Sequence, residues 1–400
     1  MSTTTSSGAD RLAPLLRLSA ALFLAYLCVA VGLASLSVYV TRHLGLGNVA
    51  GGFAIGVAFL STILTRAHAG SVADRLGPGT CLRRGLLIYV LASLVCLASA
   101  APGLAAQPAY IVLVAGRVLL GLGESLAMVG AVSWGMQLMG PARSGRVLAF
   151  IGMAMYGALA AGGPLGLWLL GVSGFASVMV FASLVPLLAW WCVRTLPASV
   201  STGTVPRVPF RQVLGRIWRE GAVVGLQGVG FAALGAFVPL YFLAQGWPHA
   251  GLGLTAFGAG FVAVRLLAGH LPDRLGGRPV ALCSLALEAV GQALLWLAPG
   301  PGVALAGALL TGVGCSMVFP AMGMEAVRRV PASLRGTAVG GFAMFQDIAY
   351  GVTGPLAGML ANRTGYASVF LAGAVCALLG WLLLAVPARA GASEARSEPS

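Results

Sequence analysis

Apolar runs of about twenty residues recur along the chain, separated by short polar or glycine- and proline-rich breaks. A run of that length crosses the roughly 30 Å of a bilayer's hydrocarbon as a helix. Twelve are read, at residues 16–40, 48–68, 84–101, 109–139, 146–170, 175–196, 221–244, 250–268, 279–298, 302–327, 336–360 and 367–386. Pro102-Gly103 and Pro299-Gly300-Pro301-Gly302 punctuate two of the connections. The polar ends predict disordered tails at 1–15 and 387–400. Residues 197–220 read as a long linker carrying Arg207, Arg211, Arg216 and Arg219. The fold class expected is an all-α membrane protein with 12 transmembrane helices.

The pattern is internally duplicated. Arg66-x-x-x-Gly70-x-x-x-Asp74-Arg75-x-Gly77 returns as Arg265-x-x-x-Gly269-x-x-x-Asp273-Arg274-x-Gly276, at an offset of 199. Each copy closes an apolar helix and opens a short charged loop. At an offset of 191, Gly116, Gly121, Gly123 and Ser125 of the fourth span match Gly307, Gly312, Gly314 and Ser316 of the tenth. Gly163-Pro164-Leu165 of the fifth span matches Gly354-Pro355-Leu356 of the eleventh at the same offset. Duplication of this kind predicts two pseudo-symmetric six-helix bundles, 16–196 and 221–386, with a solute site between them.

Composition narrows the function. The 400 residues are 58% hydrophobic and 8% charged, where a soluble domain carries about 25% charged residues. The net charge of +14 is not gathered into the patch that nucleic acid requires. All 24 basic residues are Arg. Without Lys there is no phosphate-binding G-x-x-x-x-G-K-[ST] loop, hence no ATPase of its own, and no Schiff base to retinal or pyridoxal. The seven Cys are isolated, so neither a zinc site nor a disulfide framework is expected. No catalytic arrangement such as H-E-x-x-H or G-x-S-x-G stands out; no enzyme, cofactor or metal is expected. The first apolar run is too long for a cleaved signal peptide and is kept as a span. With the N-terminus inside, nineteen arginines fall in tails and loops on that side, against Arg42 and Arg363 opposite. That asymmetry predicts cytoplasmic termini.

These motifs resemble the major facilitator superfamily over nearly the whole chain. The paired Gly70, Asp74, Arg75, Gly77 and Gly269, Asp273, Arg274, Gly276 look like its loop signature after the second and eighth spans. Arg117-x-x-x-Gly121-x-Gly123 is similar to its fourth-span signature. Gly157…Gly162-Gly163-Pro164-x-Gly166 resembles the fifth-span signature associated with exporters. A Glu-Ser pair after the fourth-span glycines is similar to bacterial arabinose-efflux-permease-like members. Two departures stand out: Pro78-Gly79 occupies the slot where the family places basic residues, and Gly277 precedes Arg278. The resemblance implies a monomeric multi-pass transporter of the bacterial inner membrane.

Ten acidic residues leave each open to separate reading. Asp10, Glu220, Glu394 and Glu398 read as solvated surface. Asp74 and Asp273, at helix ends, suit a breakable latch with arginine and a neighbouring helix N-terminus. Glu124 lies mid-membrane, where a carboxylate costs about 2.5–3.5 kcal/mol on insertion scales. Arg117 sits two turns earlier on the same face, so a purely structural ion pair is the alternative. The tenth span has Ala308 and Cys315 at those positions, which shows that packing alone does not need the charges. Asp347 lies mid-span beside Gln346 and one turn before Tyr350; its fifth-span counterpart is Tyr156. Glu124, Arg117, Asp347, Gln346 and Tyr350 are therefore the candidate proton or substrate residues. Glu288 is a lesser candidate, and Glu325 reads as a salt-bridge partner of Arg328 and Arg329. Arg66 and Arg265 read as snorkelling to the interface, and His68 or His270 as conceivable proton relays. Gly162-x-x-x-Gly166 and Gly354-x-x-x-Gly358 permit close helix approach. Pro164 and Pro355 mark kinks or hinges; Gly163 and Gly354 precede them.

The expected activity is secondary transport of a small organic solute by alternating access in the lipid bilayer, with protons as coupling ion and export in antiport. A proton-linked or facilitative importer of a sugar or organic acid shares the same architecture. Tyr26, Gln227 and Ser133 are weak polar candidates for lining the solute site, which otherwise reads as small and apolar.

Overall fold

In a computed structural model, residues 8–140, 144–197, 199, 210–331 and 335–386 are described. The expectations for residues 1–7 and 387–400 and for Arg207 lie outside them. Among the described residues every regular element is a helix. The helices are α1 (Gly8–Val38), ending in a π turn at Tyr39–His43, α2 (Gly47–Leu76), α3 (Pro78–Ala98), α4 (Ala106–Met139), α5 (Ser144–Val193) and α6 (Phe210–Ala244). They continue as α7 (Leu252–Ala268), the short α8 (Leu271–Leu275), α9 (Gly277–Trp296), α10 (Pro301–Arg328), α11 (Arg335–Thr364) and α12 (Ala367–Ala385).

α5 holds the fifth and sixth spans together. Gly174 leaves helical geometry (φ 74, ψ −176), and Ser177 Oγ donates to Leu169 O at 3.0 Å. Eight residues of straight helix would separate those groups by about 12 Å, so the chain turns back there. Counting α5 twice gives twelve crossings. α7, at 17 residues, is the shortest of them, and α11 is made less apolar by Gln346, Asp347 and Tyr350.

Several boundaries move. α1 begins at Gly8, inside the expected tail, and Leu15 is fully buried. α6 begins at Phe210, so the second half of the expected linker is helix, with Val213 and Ile217 buried. Glu220, read as surface, is 3% exposed and pairs with Arg329 at 2.8 Å. Arg219 donates to Leu383 O (2.6 Å) and Arg278 to Ala385 O (2.8 Å), which caps the C-terminus of α12. The expected charged loops shrink to one residue each: Gly77 (φ 85) and Gly276 (φ 87) end one helix and begin the next directly. Only glycine holds such a φ without strain. Neither α5 at Pro164 nor α11 at Pro355 leaves helical backbone geometry.

The duplication is visible as packing. Gly121 of α4 faces Ala58 O of α2, and its counterpart Gly312 of α10 faces Phe257 O of α7. Gly123 meets Gly85 on α3 as Gly314 meets Ser284 on α9. A Cβ at any of these positions would strike neighbouring backbone or side-chain atoms, so glycine lets the helices approach. α1–α5 form one bundle and α6–α12 the other, joined where α2 meets α11, α5 meets α7 and α1 meets α6. Leu87, Leu91, Leu184, Leu188, Leu378 and Leu382 face outward as a lipid-facing belt.

Candidate functional site

The bundles touch most closely near one end. Gly52 on α2 faces Gly354-Pro355 on α11, and its repeat equivalent Gly251 faces Gly163-Pro164 on α5. Asn48 Nδ2 donates to Asn362 Oδ1 (2.8 Å) and Tyr366 OH to Asn48 Oδ1 (2.8 Å). Thr255 Oγ1 donates to Ala160 O at 2.8 Å. This end lies opposite the termini, because an even number of crossings returns the chain to its starting side. Gly162, by contrast, packs on Ala30 of α1 within its own bundle.

Deeper in, Arg66 of α2 forms a salt bridge to Asp347 of α11. It is a cross-bundle pair, with side-chain exposures of 28% for Arg66 and 13% for Asp347. Arg66 was expected to snorkel. A carboxylate on the facing helix offers it a counter-charge instead. Beside Asp347, Gln346 Nε2 donates to Gln227 Oε1 on α6 at 3.3 Å. Tyr350, one turn on, packs against Phe59 (centroids 5.0 Å) and Phe231 (4.7 Å).

Glu124 of α4 is 9% exposed and accepts a hydrogen bond from Tyr26 OH of α1 at 3.3 Å. Arg117, 4% exposed, donates Nε to Ala54 O of α2 at 3.0 Å. No ion pair joins Arg117 to Glu124 among the described residues. They stand two turns apart on the same helix. Glu288 is fully buried in the second bundle, with Cys315 and Gln227 as its polar neighbours. Gln292, one turn along α9, donates to Gly230 O at 3.0 Å. Glu325 pairs with Arg328 (3.4 Å) and also accepts from Gly277 N at the start of α9 (3.1 Å).

The structure thus gathers Asp347, Gln346 and Tyr350 with Arg66 and Gln227, and sets Glu124 with Tyr26. Ser133 makes no hydrogen bond among the described residues. Asp74 is half-buried and Asp273 exposed, and neither forms an ion pair among the described residues. His68 and His270 are exposed. Unnoticed in the sequence was an aromatic cluster between the bundles. Tyr156 stacks on Phe261 (centroids 3.4 Å, 18°) and lies 6.0 Å from Phe231 and 6.1 Å from Phe257. The signal was present in Tyr156 standing where the repeat places Asp347.

The Major Facilitator Superfamily family model matches residues 18–254 and 248–399, which together take in both bundles. The chain belongs to the major facilitator superfamily. A Salmonella typhimurium relative, named only as an uncharacterised MFS-type transporter, is 45% identical over 370 residues, covering 92% of this chain and 94% of its own. A similarly named Pseudomonas aeruginosa protein is 42% identical, covering 91% and 90%. Among solved structures, a D-xylose–proton symporter aligns with a TM-score of 0.75 at 18% identity, over 94% of this chain and 98% of its own. At that identity the likeness is one of fold. As a superfamily member this multi-pass membrane protein is a transporter of small molecules rather than an enzyme. Its two bundles, and the contacts between them, are the parts that bear on how it moves a solute.

Proposed function

We propose that this transporter exports a small organic solute in exchange for protons, working by alternating access in a bacterial inner membrane with both termini cytoplasmic. The cross-bundle Arg66–Asp347 pair carries the proposal. Two opposite charges in apolar surroundings hold α2 to α11 while both are ionised. A proton taken up by Asp347 removes one charge and leaves the bundles free to rock. In exchange, Asp347 takes its proton from outside in the opposite state and releases it on the side of the termini, which restores the pair seen here. Glu124, hydrogen-bonded to Tyr26, is a second carboxyl within the same interface region, and Gln346, Tyr350 and Arg117 complete the polar lining. Asp74 and Asp273 latch the opposite state, in which the terminal-side ends of the bundles close; this accounts for their lack of ion pairs among the described residues here. The direction of transport rests on the exporter-like Gly162-Gly163-Pro164 signature, and the arginine asymmetry supports the orientation.

Inverted membrane vesicles with an imposed pH gradient test the coupling. Asp347→Asn keeps solute exchange and loses gradient-driven accumulation by roughly tenfold or more, the effect of about 1.4 kcal/mol of lost coupling. Accumulation indifferent to the gradient in the parent protein removes the proton from the mechanism.

A further inference from the structure

We propose that the solute is a small organic monoanion with a flat apolar body, and that Arg265 receives its carboxylate. The inference rests on the transporter reading above and supplies its substrate class. Arg66 and Arg265 are equivalents in the two halves, at an offset of 199, and Asp347 and Tyr156 are equivalents at an offset of 191. In one half the arginine of α2 meets the acid of α11. In the other, the arginine of α7 approaches α5, where tyrosine stands in place of the acid.

Arg265 consequently has no ion pair among the described residues, and its Nε is buried with no hydrogen-bond partner. Its guanidinium lies 5.4 Å from the centroid of Phe261 on its own helix, and Tyr156 is its titratable neighbour on α5. No carboxylate faces it. A Cβ at Gly152 of α5 would have within 4 Å only the Arg265 guanidinium carbon, at 4.0 Å. Open space therefore adjoins the unpaired cation, on the surface where the bundles face each other.

The chemistry of the surroundings specifies what fills that space. A guanidinium binds a carboxylate through parallel N–H donors, and the Tyr156 hydroxyl, itself in contact with that of Tyr350, lies beside it. Phe231 and Tyr156, partly exposed over the buried Phe257 and Phe261, offer ring surface for an aromatic or other flat body. One charge is enough: Arg66 is occupied by Asp347, and Arg117 by Ala54 O. The bound carboxylate does for α5 and α7 what Asp347 does for α2 and α11, so solute and side chain complete the same contact in the two halves.

Thermal unfolding of the purified full-length protein in detergent tests this, with benzoate and phenylacetate as probes and benzamide and phenylacetamide as neutral counterparts. The carboxylates raise the midpoint in a saturable way and the amides do not. Arg265→Gln abolishes the response. Tyr156→Asp supplies an internal acid, which raises the midpoint of the ligand-free protein and removes the carboxylate response; it remains informative if Arg265→Gln fails to fold. Equal stabilisation by amides, a full response in either variant, or no response to any carboxylate overturns the proposal. Carboxylate binding without pH-driven transport would count against proton coupling alone. Proton-driven transport of a neutral solute, with no carboxylate binding, would count against the substrate class alone.

Discussion

A charge whose partner sits on the other bundle is stable only in one arrangement of the molecule, and that makes Arg66 and Asp347 informative beyond their contact. Removing one member of such a pair strands the other in apolar surroundings, at about 3–5 kcal/mol when burial is complete and less for Arg66, which retains some exposure. Arg66→Gln alone is therefore expected to destabilise the protein more than Arg66→Gln combined with Asp347→Asn. A double-mutant cycle on unfolding midpoints should give a coupling of about 1–3 kcal/mol, and additive effects would mean that the pair contributes nothing to this state. Asp347 and Glu124 were legible in the sequence because a mid-span carboxylate is costly wherever it points. The partner of Asp347 was not, since it depends on how α2 is registered against α11, and neither helix encodes that locally. Glu220 was misread for a related reason. Its arginine-rich surroundings look solvated until α6 is seen to start at Phe210 and bring it to Arg329.

At the scale of helices, the glycine positions carry the most information. Those repeated in α4 and α10 announced close packing, and each meets the equivalent neighbour in its own bundle. Gly163-Pro164 and Gly354-Pro355 were read as helix packing or hinge elements. They also form the contact between bundles at the end away from the termini, which sequence spacing alone has no means of revealing. Gly354→Val is expected to hold that end apart. Overpacking of about 1–3 kcal/mol shifts a two-state balance by roughly 5- to 150-fold. In a background without native cysteines, a cysteine at Asn362 should then react faster with a membrane-impermeant maleimide. An unchanged rate would show that Gly354 does not control closure.

The whole molecule obeys a symmetry that the sequence displays almost intact: the offsets of 199 and 191 map not only residues but contacts, as Gly52 with Gly354 and Gly251 with Gly163 demonstrate. The proposed orientation in the bilayer rests on the arginine asymmetry and is open to direct mapping. Cysteines at Arg84 and Arg278 should label from the side of the termini, and cysteines at Asn48 and Gly103 from the other. Labelling of the first two from opposing sides would dismantle the two-bundle account. The one-residue corners at Gly77 and Gly276 carry a mechanical implication for this architecture. With no slack between α2 and α3, or between α8 and α9, α2 and α8 cannot swing without dragging α3 and α9 sideways through acyl chains. Under the proposed alternating access, the thickness and stiffness of the host membrane become a load on every transport cycle, and turnover is expected to vary with lipid composition without any binding pocket.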